Sequence, residues 1–458
     1  MADLRRGERG AALLVVVVAL AVLTALAAEV AYASQVRLQL AADARDELRA
    51  SWLARSGVAT ARLVLAFQQQ IDASMGRSST TTPLPGPGAG GPATAGAAAQ
   101  GAAAAATGGG LGALMGGLSI RVWSLVPINS AFTSALLGAP ASTQAPTPPR
   151  GDGGKGPALA RFGDFEGAFD AVVEDEASKA NAQLDSLAAG GQLGPQVLAL
   201  YQLTCDPRWD PLFDREDAQG QRNSRTDVIV HLRDWVDDDA TSSTLKASFP
   251  GGPCQAIVAD SAFENGFGDE NYPYDRGPSD ERYRAKNARF DSIDELYLVS
   301  GISDAFMAAF GDRLTVYLGK DSPRTLDPTN PDSLVEAAKG VADPPGQAVL
   351  YDPEFKAKLQ RLVMEQTLGG LLGLSAQTFA RALVDLGVQV SAKVTTPGST
   401  KNPLADRSFV YRVKASGSAG KVSRTLDVVV SFDPNQNRGV ATPPPGKDMG
   451  RVLRWREE

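Results

Sequence analysis

The chain has 458 residues, with 45 lysines and arginines against 52 aspartates and glutamates and a formal net charge of −7. That length calls for more than one folded unit, and the charge balance leaves no basic surplus to neutralise a phosphate backbone, which excludes nucleic acid as a principal partner. One histidine, His231, and two cysteines, Cys205 and Cys254, are too few for a closed zinc site or a Cys-rich redox motif, so a metal would have to be held by oxygen.

The N-terminus carries Arg5, Arg6 and Arg9, then Gly10, then an apolar run from Ala11 to Ala28 interrupted only by Thr24. Basic residues ahead of a span give the positive-inside orientation, and at 1.5 Å per residue the run covers roughly 27 Å, about the hydrocarbon thickness of a bilayer. From Glu29 to Gln70 there is no proline and no glycine except Gly57, while Val36, Leu40, Leu48, Trp52, Val58 and Leu63 recur near helical spacings. A transmembrane helix over 11–28 is therefore expected to continue as an amphipathic helix over 29–77. Three fates suit this N-terminus: a cleaved secretory signal using Ala31-Tyr32-Ala33, an uncleaved anchor, or a short leader, 1–10, cut between Gly10 and Ala11 with the helix retained.

The 78–117 stretch, including TTPLPGPGAGG and GAAAAATGGG, is too poor in large apolar groups to offset chain entropy and reads as an inserted flexible segment. Residues 118–131 contain LSIRVWSLV, which has the β-rich content of a short strand, and 132–160 form a second Pro/Gly-rich linker. Residues 161–183 read as strands running into the acidic turn of VVEDEASKAN. From 184 to 375 the pattern is mainly helical, with VIVHLRDWV leading into Asp237, Asp238 and Asp239, and a helix–Gly301–helix unit downstream. That unit has a helix-hairpin-helix outline, but its turn lacks basic residues and its flanks carry Asp291, Asp294, Glu295 and Asp304, which opposes a DNA backbone. Residues 376–458 return to strands: Phe409, Tyr411, Val413 and Ala415 alternate with Val410, Arg412 and Lys414, and Leu426, Val428, Val430 and Phe432 alternate again after the turn at 417–420.

Between Glu264 and Asp280, ENGFGDENYPYDRGPSD crowds hard oxygen donors onto what reads as a Gly/Pro-punctuated loop. That chemistry suits calcium, with Glu264, Asp269, Glu270 and Asp275 as candidate ligands, or else a plain solvated acidic loop. Cys205 and Cys254 either pair, closing a loop worth on the order of 4 kcal/mol, or stay as two independent buried thiols. His231 lies beside an apolar helix face and reads as a packed or surface residue; no nucleophile elbow, phosphate loop or dinucleotide fingerprint occurs. No catalytic residue or enzymatic activity is assigned.

The leader ending at Gly10 resembles the class III signal of type IV pilins and pseudopilins, in which a prepilin peptidase cuts after the glycine. Val15 stands at the fifth mature position, where most members carry Glu, and its absence resembles the K-type minor pseudopilin of type II secretion. Three further stretches share that resemblance: Asp175, Glu176, Lys179 and Asn181 of a D-E-x-G-K-x-N-like motif, with Ser178 in place of the glycine; Leu232, Asp234, Trp235, Asp237 and Asp239; and the run RYRAKNARFDSIDELYLVSGISDAFMAAFGDRLTVYLG. The resemblance implies an α+β, pilin-like fold: a long N-terminal helix packed on a small antiparallel sheet, with a large inserted helical domain containing helix-hairpin-helix-like elements. It also implies calcium as a ligand, partners among the I- and J-type minor pseudopilins, and a single-pass inner-membrane location with the C-terminal bulk in the periplasm. The implied function is a pseudopilus tip subunit that starts assembly and supports protein export. The alternatives are a minor pilin of a type IV pilus system, or an anchored or secreted calcium-dependent hydrolase.

Overall fold

The computed structural model describes residues 4–78, 120–136, 161–185, 193–213, 222–319, 322–396, 402–434 and 448–458, apart from 163, 164, 251, 253, 277 and 281. The first expected Pro/Gly insertion, 78–117, lies outside these residues except for Ser78, and the second does so beyond Leu136.

Helix α1, Leu4–Ser78, is continuous, as expected for a proline-free run rich in Ala, Leu and Val. Its two halves differ in what they touch. Large apolar side chains from Leu13 to Leu48 stand exposed, Val15 at 64% and Leu38 at 73%, whereas Ala50, Leu53, Ala54, Val58, Ala61 and Leu65 recur at three- and four-residue spacing and are buried. The buried stripe lies on a five-stranded antiparallel sheet ordered β1-β4-β11-β12-β13, formed by Ile128–Asn129, Ala168–Asp175, Val410–Ala419, Val422–Ser431 and Arg451–Glu457. Val58, Ala61, Leu65, Val173, Val413, Leu426 and Val428 share its core. Close approach of helix to sheet depends on glycine: Gly57 faces Ala415 and Phe169, and a Cβ on Gly417 would overlap the Ala50 carbonyl and the Ala54 amide. The chain's last strand clasps the same helix, with Ser51 Oγ donating to Glu457 at 2.7 Å and Arg62 donating to the Met449 and Gly450 carbonyls at 2.9 Å.

Around this unit the short elements are α2, Val122–Leu125, α3, Ser130–Leu136, and the strands β2, Arg161–Phe162, and β3, Phe165–Glu166. Everything between β4 and β11 is an insertion that leaves and rejoins the sheet at neighbouring positions, since Asp175 and Tyr411 are register partners. Its first core packs β5, Ala180–Asn181, helices α4, Gly194–Thr204, and α5, Arg225–Asp234, the hairpin β6–β7, Thr241–Ser248 and Ile257–Asp269, helix α6, Asp304–Phe310, and β8, Leu314–Thr315. Its second core packs β9, Arg324–Thr325, helices α7, Pro331–Val341, α8, Phe355–Gln366, α9, Ala376–Asp385, and α10, Ala392–Thr395, and β10, Leu404–Ala405.

The arrangement is α+β and pilin-like, as expected, with corrections in detail. Of the expected strand over 118–131, Val122–Leu125 form the helical turn α2 and only Ile128–Asn129 joins the sheet, while the Arg121 amide bonds the Leu371 carbonyl. The helical insertion does not stop at 375: α9 and α10 extend it, and the sheet resumes only at Val410. Within the insertion 241–269 is a β-hairpin, and the segment before Gly301 is a 3-10 helix, Ile293–Leu298. Phe409, expected on the buried face, is 41% exposed.

Candidate functional site

Two features stand out: the uncovered half of α1, and the polar joints that hold the insertion together. The uncovered half is long and apolar enough to cross a bilayer once, and none of its most apolar stretch is buried by the rest of the chain. Gly10 and Ala11 lie within its helical backbone. Below the apolar stretch charges appear in pairs, Arg45 with Asp46, Arg49 with Glu166, and Glu47 with Arg424, where the helix meets the rim of the sheet.

The D-E-x-S-K-x-N stretch is the joint between sheet and insertion. Asp175 ends β4, capping the Ala177 amide and accepting from Thr325 Oγ1 at 2.7 Å. Glu176 is wholly buried and takes a two-pronged contact from Arg412 of β11 at 2.9 and 3.1 Å plus Lys179 at 2.9 Å. Burial works to raise the Glu176 carboxyl, but Lys179 and Arg412 outweigh it and hold it below the usual range. Asn181 pairs in parallel with Thr315 of the Leu314-Thr315-Val316-Tyr317 stretch, so two motifs separate in sequence form one ladder.

The second joint gathers the other two motifs. Trp235 stacks on Phe290 and meets Tyr274 and Tyr283 edge-on. Asp234 is buried and accepts from the Ser243 amide at 2.8 Å and Ser242 Oγ at 3.1 Å. Asp237, also buried, pairs with Arg233 at 3.2 Å, yet its Oδ1 has no hydrogen-bond partner. Both carboxylate oxygens of the buried Glu270 and Oδ1 of Asn287 lack partners as well. Burial pushes the Glu270 carboxyl up to about 7; Asn287 pulls it back down, and Asp237, Asp234 and Asp239 each add a smaller upward push. Burial likewise pushes Asp237 up to about 6.

The four expected calcium ligands separate. Glu264 and Asp269 lie on strand β7, not on an irregular loop; Glu264 pairs with Lys246 at 3.2 Å, Asp269 caps the Asn271 amide, and Asp275 pairs with Arg282 at 3.5 Å. Glu270 alone of the four is buried, and its neighbour from the other motif is Asp237. Among the described residues no group of three or more His, Cys, Asp or Glu side chains is gathered tightly enough to hold a metal ion. Oxygens of Glu270, Asp237 and Asn287 are buried without hydrogen-bond partners, and oxygen is the donor type a hard cation takes. Asp237 and Asn287 both fall within stretches that carry the family resemblance, Asn287 in RYRAKNARFDS, but neither was expected as a ligand.

Cys205 and Cys254 are joined by a disulfide, which fastens the end of α4 to the segment before β7. His231 is packed: its Nδ1 lies 3.1 Å from the Ser300 carbonyl, and burial lowers its pKa. Gly301 turns with φ +87°, where a side chain would strike Val228 and Asn223.

No protein-family model matches the chain, and no curated protein matches it either. Among solved structures, the GspK-GspI-GspJ complex of the type 2 secretion system of enterotoxigenic Escherichia coli contains a similar chain. The likeness is distant, with a TM-score of 0.39 and 14% identity over 66% of this chain and 83% of that one.

Proposed function

We propose that this chain is a minor pseudopilin of a type II secretion machine, retained in the inner membrane by α1 and placed at the tip of a periplasmic pseudopilus, where it starts assembly with I- and J-type partners. The observation that carries this reading is α1 itself: half of it is buried on its own sheet and half presents apolar residues that none of the other described residues covers. Such a half-helix can lie in lipid before assembly and among neighbouring α1-like helices afterwards, because both surroundings are apolar and both satisfy its backbone internally. Val15 offers no carboxylate to a neighbour's N-terminal amine, and the insertion adds bulk on the sheet side; both suit a subunit with nothing stacked above it.

The test is deletion of the gene followed by assays of secretion and of twitching. Loss of secretion with twitching intact is expected, and the reverse would favour a type IV minor pilin. N-terminal sequencing of the mature chain is expected to begin at Ala11 through prepilin peptidase cleavage; a start at Ser34 would refute retention of the helix.

We further propose that a calcium ion is held by Glu270, Asp237 and Asn287 Oδ1. Its charge would neutralise two carboxylates that burial disfavours, and it would tie the end of β7 to the turn after α5 and to residue 287. EDTA is expected to lower the melting temperature of wild type but not of Glu270→Gln; an equal response in both would rule the site out.

A further inference from the structure

Hairpin β6–β7 breaks its ladder near one end. Thr241 is the register partner of Asp269 and Ser243 of Asn265, so Gly266, Phe267 and Gly268 stand opposite Ser242 alone and bulge out of the strand. The first glycine specifies the bulge. A Cβ on Gly266 would come 2.6 Å from the Ser242 carbonyl oxygen and 2.9 Å from Thr244 Oγ1, so the backbone lies against β6 and admits no side chain there. Phe267, held out by this arrangement, is the most exposed large apolar side chain among the described residues, its ring wholly in solvent. Farther along the same turn Tyr272 is also exposed; its amide bonds the Asp269 carbonyl at 3.1 Å, and the Arg276 guanidinium lies 4.1 Å from its ring centre.

The chain around the two rings is acidic. Asp238 and Asp239 sit in the turn that enters β6, where Asp239 accepts from the Thr241 amide at 2.8 Å, and Thr241 faces Asp269 across the ladder. Glu264 precedes the bulge and pairs with Lys246 at 3.2 Å. All four carboxylates are exposed, and Lys246 is the one lysine or arginine within 238–248 and 264–272, so negative charge is in excess. An isolated apolar side chain on a surface is ordinary. Here the backbone is shaped to project one, a second exposed aromatic follows it, and the buried Glu270 anchors the turn between them.

We propose that Phe267, seconded by Tyr272, is a docking anchor for another protein that offers an apolar pocket rimmed by lysine and arginine. A rigid aromatic ring that enters a pocket is desolvated at small entropic cost, which is why such rings carry much of the energy of protein contacts. The carboxylates around it select a basic rim and turn acidic surfaces away. They oppose an anionic bilayer for the same reason.

The experiment places a photo-crosslinking side chain at this position, Phe267→p-benzoylphenylalanine, in the full chain expressed in its own host, and identifies the adducts by mass spectrometry. One dominant protein adduct is expected, absent from a Tyr297→p-benzoylphenylalanine control, with a crosslinked peptide that sets apolar residues beside lysine or arginine. Asp238→Lys and Glu264→Lys each reverse an exposed charge; each is expected to cut the adduct yield at least threefold while melting no lower than the parent chain. Should one variant fold poorly, the other decides. No adduct beyond the control, an adduct to lipid or glycan, a crosslinked peptide without basic residues, or a yield indifferent to charge in a folded variant each overturns the proposal. Secretion is not the readout, so none of these outcomes bears on the assignment of the chain to a secretion machine.

Discussion

Glu176 shows how much a single side chain can hold. It has no contact with solvent, and its charge is tolerated only because Arg412 and Lys179 meet it. Removing one partner of such a pair leaves an uncompensated buried charge, which costs about 3–5 kcal/mol, whereas replacing both with apolar residues of similar volume costs far less. Glu176→Gln is therefore expected to destabilise by about 3 kcal/mol and Glu176→Met with Arg412→Met by less, as measured by denaturant midpoints; equal losses would contradict the pairing argument. Glu270 works in the opposite sense. Its folded pKa of about 7 lies above the ordinary 4.5, so between those values the folded chain holds a proton that the unfolded chain has released, and its contribution to stability falls as pH rises through that window. His231 opposes this, since its lowered pKa makes stability fall as pH drops below 6.5, and comparison with a variant at residue 270 alone cancels it. In EDTA, Glu270→Gln is expected to exceed wild type at pH 8 by at least about 1 kcal/mol after allowance for solvent screening, with the gap closing by pH 5. A gap independent of pH would show that the carboxyl is not perturbed.

At the scale of elements, the contact of α1 with β11 leaves no room for a side chain at Gly417. Gly417 lets the helix backbone lie directly on the strand, so Gly417→Val cannot be absorbed by a side-chain rotation and must lift the helix. Loss of several kcal/mol is expected, seen as rapid proteolysis of the chain near Ala50; a melt unchanged from wild type would show that the helix can shift without cost. The C-terminal hairpin was legible because Leu426, Val428 and Val430 recur at period two, but the expectation of one buried face fails: Val410 and Val429 on the other face are buried in the first core of the insertion. The hairpin β6–β7 was not, because TSSTLKAS has little apolar content to alternate, and its strands pair only with each other in a two-stranded sheet of their own. That omission also turned Glu264 and Asp269 into apparent loop ligands. The missing strand near 120 has a different cause: Arg121 is held by Asp327 at 2.8 Å and its amide by the Leu371 carbonyl, contacts from distant segments that override local β propensity.

For the whole molecule, the outline of anchor, sheet and inserted helices was readable from composition shifts and motifs, while the placement of the insertion's far boundary was not. Helices α9 and α10 bury Phe379, Leu383 and Val394 in the core begun by α7, a pairing across sequence that no local pattern announces. The motifs were informative for a physical reason: Asp175, Glu176 and Asn181, with Thr315, sit where the insertion is fastened to the sheet or folded on itself, so each type of side chain is constrained by partners on both sides. The disulfide is the other fastening. Replacing Cys205 and Cys254 with alanine is expected to cost about 4 kcal/mol and to loosen the first core before the sheet, as read by hydrogen exchange; simultaneous loss of both regions would mean that they unfold as one.

Because the insertion departs and returns through the touching pair Asp175 and Tyr411, and because Ser51, Arg55 and Arg62 fasten α1 to the final strand and its approach, tension along the stem has a short route. Force passes from the helix into β4, β11, β12 and β13 as shear along their ladders, while the inserted helices lie beside that route, fastened to its flank by Arg412 with Glu176 and by Arg454 and Arg456 with Asp294. A pulling experiment on the intact chain should therefore show the sheet yielding while the cargo of helices, and whatever it holds, stays folded.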